Sequence, residues 1–74
     1  MLANEHELTP MELRVLRAWH RLGAAGSVAA ALRLSKHTVE AHMRSVHRKC
    51  GFRYAAQVFG WAGKAGLLDE EPSP

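Results

Sequence analysis

Along this chain apolar residues recur at helical spacing. Leu13, Val15, Leu16, Trp19 and Leu22 form one stripe, while Arg14, Arg17 and Arg21 line another face. The segment has its own start signal. Thr9 is a capping residue, Pro10 suits the first helical position, and Glu12 is placed to reach back and close a capping box. Leu8 and Leu13 stand at hydrophobic-staple positions. A first helix is predicted from about Pro10 to Leu22. Gly23-Ala24-Ala25-Gly26 then breaks the pattern, and Ser27 is the expected cap of a short second helix that buries Val28, Ala29 and Leu32.

Ser35 is the next cap, and Leu34 with Val39 repeats the staple, so a third helix should begin after only a few residues of turn. Two helices joined so tightly form a helix-turn-helix. On the third helix Val39, Met43, Val46 and Cys50 share one side. His37, Ala41, Arg44 and Arg48 fall opposite, with Glu40 flanking. Gly51 is placed to stop this helix, and a fourth apolar segment runs from about Tyr54 to Ala65 before Gly66. The pattern contains no strand signal, so the predicted fold class is all-α, a four-helix bundle containing a helix-turn-helix.

Size and charge narrow the function. A single domain of 74 residues leaves little room for an enclosed active site. No apolar run approaches the roughly 20 residues that span a bilayer, and the N-terminus lacks a secretory layout. Together with the lone Cys50, this predicts a cytoplasmic location with no disulfide and no membrane partner. The net charge of +3 hides an asymmetry. All ten Lys and Arg lie between Leu13 and Leu68, where Glu40 is the only acid. That distribution suits a polyanionic partner, double-stranded DNA above all.

The outward face of the third helix carries groups suited to base edges. Arg44 can donate in bidentate fashion to guanine, Glu40 can accept from cytosine, and Ala41 offers a methyl for thymine. Ser35, Lys36, Thr38, His47, Arg48, Lys49 and Arg53 are the expected phosphate contacts.

On the fourth helix Ala56, Gly60 and Gly63 leave one side bare, while Tyr54, Val58 and Trp61 form a bulky ridge. Interior glycines each cost about 1 kcal/mol relative to alanine, and close approach of a second helix would offset this. The ridge is therefore a candidate homodimer interface; the other reading is that Trp61 packs in the monomer core.

Other chemistries are disfavoured. His37, His42 and His47 are five residues apart and swing by about 140° per step on a helix, so they do not converge on one metal ion. His47 with Cys50 supplies only two ligands, short of a closed zinc site. No nucleophile–base pair, carboxylate pair or phosphate-cradling loop is present, so neither an enzyme nor a cofactor is expected.

The motifs Leu8-Thr9-Pro10-x-Glu12-x-x-Val15-Leu16, Leu34-Ser35-x-x-Thr38-Val39-x-x-His42, Arg48-Lys49-x-Gly51 and Gly66-Leu67-Leu68 resemble the LuxR/GerE/FixJ-type helix-turn-helix domain of bacterial transcription regulators. The resemblance runs from Leu8 to Leu68. It leaves residues 1–7 as an N-terminal arm and 69–74 as an acidic tail, expected to be disordered. It implies a sequence-specific DNA-binding regulator, with the third helix in the major groove and the fourth often forming a dimer contact. Positions matching Glu40, Ala41 and Arg44 commonly face bases in that family. Two departures stand out: Glu40 sits where a basic residue is common, and Ala24-Ala25-Gly26-Ser27 where an acid with polar neighbours is usual. They motivate an alternative, a protein-interaction module on the same fold that binds RNA polymerase, a sigma factor or another regulator.

Overall fold

The computed structural model describes residues 4–68. The expected disorder of the acidic tail, residues 69–74, falls outside them. Four helices follow in order: α1 (Pro10–Leu22), α2 (Ala25–Leu32), α3 (Lys36–Cys50) and α4 (Ala55–Lys64). Helices α1, α2 and α3 pack against one another in a triangle, and α4 packs on α3. The core is aliphatic, with Val15, Leu16, Val28, Val39, Val46 and Val58 fully buried at its centre.

The start of α1 forms as its residues dictate. Thr9 Oγ1 accepts from the Glu12 amide at 3.1 Å, and Glu12 Oε1 accepts from the Thr9 amide at 2.8 Å, which closes the capping box. The beginning of α2 differs from expectation. Ser27 is not its cap; the helix already begins at Ala25, and Ala24 stands at the cap position with no side-chain hydrogen bond. With Val28 wholly buried and Ala29 nearly so, packing against α1 and α3 draws the backbone into helix a turn earlier than cap chemistry alone would.

Asn4 to Leu8, at the end of the N-terminal arm, form a compact turn. The Asn4 side chain accepts from the Leu8 amide at 3.0 Å and donates to the Leu8 carbonyl at 2.9 Å. The His6 ring stands edge-on against Trp61, with centroids 4.5 Å apart, and against Phe52 at 5.8 Å. The turn thus clamps α4 and the α3–α4 connection onto the rest of the domain.

Glu12 does more than cap. Its side chain is only 6% exposed. It accepts from Ser45 Oγ at 2.6 Å and from Lys49 Nζ at 2.8 Å, joining the start of α1 to one edge of α3. Burial pushes this carboxyl up. Hydrogen bonds from Lys49, Ser45 and the Thr9 amide, with the Lys49 charge, outweigh that and hold it down at about 2, against 4.5 for a free glutamate. A depressed carboxylate contributes stability that is fully present above pH 4.5 and is lost as pH falls through 2. Glu12→Gln should lower the unfolding free energy at pH 7 by about 2–3 kcal/mol. The gap between parent and variant, followed by chemical denaturation, should narrow as pH drops from 4.5 toward 2; a constant gap would exclude the ion-pair account.

Candidate nucleic-acid interface

The connection that aims α3 is three residues long, and its conformation is demanding. Arg33 lies in the left-handed region, at φ 59° and ψ 45°, and the Leu34 amide donates to the Ala29 carbonyl at 2.9 Å to finish α2. Ser35 then caps α3. Its Oγ accepts from the Thr38 amide at 3.0 Å and donates to Thr38 Oγ1 at 2.8 Å. The Thr38 hydroxyl proton is therefore left to point elsewhere, as a donor at the exposed N-terminus of α3.

From that cap α3 presents two different sides. Val39, Met43, Val46 and Cys50 are buried, as expected. His37, Arg44 and Arg48 are exposed on the other side, and Ala41 is half-buried among them. The four residues of this outward stripe include no acid; Glu40, half-buried, flanks it, about 40° from Arg44 on the helical wheel. Lys36 and Arg53 are exposed near opposite ends of the face. Burial pushes the Cys50 thiol up, as do the Glu12 and Glu5 charges, so this residue behaves as part of the core.

Two expected phosphate binders are already engaged. Lys49, its side chain 34% exposed, is ion-paired with Glu12. The His47 ring lies with Nδ1 at 3.3 Å from the Phe52 carbonyl, a geometry that makes Nδ1 the protonated nitrogen. Gln57 Oε1 accepts from both the Arg53 and Tyr54 amides at 3.0 Å, so the backbone at Arg53 is fixed by the start of α4.

On α4 the three residues of the ridge expected for a dimer are not exposed together. Val58 is 0% exposed, buried by the packing of α4 on the other helices, and is unavailable to a second chain. Trp61 is half-buried, held by His6 and by a 3.4 Å hydrogen bond from its Nε1 to Glu5. Tyr54 is 63% exposed. The solvent side of α4 is instead Ala56, Gly60 and Gly63, flanked by Gln57 and Lys64. A Cβ at Gly60 would meet nothing within 4 Å.

Sequence reasoning missed the Ser45–Glu12–Lys49 link. The only available signal was that Ser45 and Lys49 are four residues apart and so share an edge of α3. Among the described residues no cluster of His, Cys, Asp and Glu could hold a metal ion, and no helix is long and apolar enough to cross a membrane.

Residues 6–62 match the profile of bacterial regulatory proteins of the luxR family. The chain belongs to that family. It is a family of DNA-binding helix-turn-helix regulators, and in this chain α2 and α3 are the two helices joined by the tight Arg33–Ser35 connection. No curated protein and no solved structure matches the chain.

The left-handed Arg33 has a measurable consequence for this luxR-family domain. Arg33→Gly relieves the strain of a side chain in that conformation and should raise stability by about 1 kcal/mol in urea unfolding. A loss of stability would show that the Arg33 side chain makes a compensating contact.

Proposed function

We propose that this chain is a sequence-specific DNA-binding transcription regulator acting in the bacterial cytoplasm, with α3 docked in the major groove. The observation that carries this reading is the outward stripe of α3. It combines His37, Ala41, Arg44 and Arg48, free of acids, on a helix whose opposite side is locked into the core. An α-helix with its side chains is about 10–12 Å across, which fits a major groove about 12 Å wide.

Arg44 is the base reader, with a fork that matches the O6 and N7 acceptors of guanine. Ala41 supplies an apolar contact for a thymine methyl, and Glu40, at the edge of the stripe, accepts from a cytosine amino group. Ser35, Lys36 and Thr38, together with the backbone amides at the start of α3, grip one stretch of phosphate, and Arg48 and Arg53 grip another; His47, its one N–H given to the Phe52 carbonyl, is set aside. Lys49 we assign to Glu12 rather than to phosphate, because moving it would strand a buried carboxylate.

A homodimer through α4 completes the reading, with its face moved from the Val58 ridge to the Ala56, Gly60 and Gly63 side and with Tyr54 at its edge. Support comes from the exposure of that side and from the open space over Gly60, which would let a second helix approach closely. Contact with RNA polymerase is compatible with this arrangement. Failure to bind any duplex at low salt would favour the protein-interaction module instead.

Arg44→Ala should weaken a selected site by about 1–3 kcal/mol while leaving random duplex binding nearly unchanged. Lys36→Ala should weaken both alike and reduce the salt slope by about 1. Duplex titrations at several salt concentrations read both effects; equal losses for Arg44→Ala on the two DNAs would remove its reading role. Gly60→Leu places its side chain in open space, so the monomer should stay folded while association is lost in sedimentation experiments. A parent that is monomeric at high micromolar concentration and on DNA would sink the dimer.

A further inference from the structure

Helix α1 carries a second basic stripe that the α3 face does not use. Arg14, Arg17 and Arg21 lie within about 60° of one another on the helical wheel. They are opposite the side that buries Glu12, Val15 and Leu16, with the buried Ala18 next to Arg14 and Arg21 on one flank. Because α3 packs on that buried side, the arginine stripe faces away from α3. Arg14 and Arg21 are exposed, and Arg17 is half-buried.

The end of the described chain comes to this stripe. Arg17 Nε donates to the Leu67 carbonyl at 2.6 Å, and Leu67 is buried behind the turn that Gly66 makes at φ 76°. In sequence the next charged residues are Asp69, Glu70 and Glu71. Two to four residues of chain reach roughly 7–14 Å from Leu67. Arg14 and Arg21 lie about 4.5 and 6 Å along the helix axis on either side of Arg17. In sequence three carboxylates thus follow the anchored Leu67 with only Leu68 between, on a length of chain that can span to the arginines on either side of Arg17 and with the opposite charge.

We propose that the outer face of α1 is a docking surface for the acidic segment Asp69-Glu70-Glu71 of this same chain. The segment neutralises the stripe and leaves α3 as the one face open to a polyanion. Two basic faces on opposite sides of so small a domain would otherwise compete for duplex. The consequence for DNA rests on the DNA-binding reading; the docking itself does not.

The test compares the parent with D69N/E70Q/E71Q, with R14Q/R21Q and with the combined variant. Arginine Nε–H resonances report the contact directly. Those of Arg14 and Arg21 are expected to shift in D69N/E70Q/E71Q, and in the parent at high salt, toward common solvent-exposed values. Identical Arg14 and Arg21 resonances in the parent and in D69N/E70Q/E71Q would overturn the docking, whatever the DNA results.

The second arm uses a random-sequence duplex. D69N/E70Q/E71Q is expected to bind more tightly than the parent, with a log–log salt slope steeper by up to about 2, near 0.9 for each of two added phosphate contacts. Adding R14Q/R21Q should return the slope to the parent value. Shifted arginine resonances with no duplex binding by any variant would uphold the docking and remove the DNA reading. Shifted resonances with duplex slopes equal in all variants would overturn the claim that the segment keeps DNA to one face.

Discussion

A buried carboxylate at the first turn of α1 sets the position of the helix on which function depends. Glu12 closes its own capping box and reaches across to Ser45 and Lys49 of α3. A charge so enclosed is costly to bury, and it is tolerated here because each of its contacts is a donor and one is a cation. Aliphatic packing between α1 and α3 can slide by fractions of an ångström with little penalty, whereas a hydrogen-bonded ion pair has a narrow optimum of distance and direction. The polar link therefore supplies register to an interface whose adhesion comes from Val15, Leu16, Val39 and Val46.

Register matters because α3 carries its two roles on opposite sides. Its buried side is a row of Val39, Met43, Val46 and Cys50, and turning the helix by one residue would swing Arg44 and Ala41 by about 100° away from their outward direction. At the other end the left-handed Arg33 and the Ser35 cap fix where the first turn starts. Between the cap and the Glu12 link the helix is held at both ends, and the direction of its exposed stripe is inherited from these two fixtures.

Most of the helical framework was legible in the residues. The Thr9-Pro10-Glu12 start, the Ser35 cap and the Gly51 stop each have a local cause, and α1, α3 and α4 lie where those causes put them. The beginning of α2 was not legible, because Ser27 is a good cap by itself and only the packing of Val28 and Ala29 against two other helices moves the boundary. The outward stripe of α3 followed from periodicity. What periodicity could not supply was the far partner of each side chain. By its position Lys49 suits a phosphate, yet its ammonium is paired with Glu12, thirty-seven residues earlier. Val58 looked like part of an exposed ridge because a helical wheel shows which residues share a side and not which side meets the core. Trp61 fell between the two readings: the turn at Glu5 and His6 covers it, and nothing in α4 itself announces that cover.

The packing is also uneven. Helices α1, α2 and α3 each touch the other two, whereas α4 rests on α3, with a ring contact between His20 and Phe59 and the N-terminal turn as its further attachments. Local opening follows such differences, since an element with fewer buried neighbours detaches at a lower free energy than the whole. The domain is thus built as a three-helix unit with a more lightly attached fourth member. Unfolding of α4 alone would leave α3 and its exposed stripe in place, which makes the proposed association through α4 and the proposed recognition through α3 separable properties of one small chain.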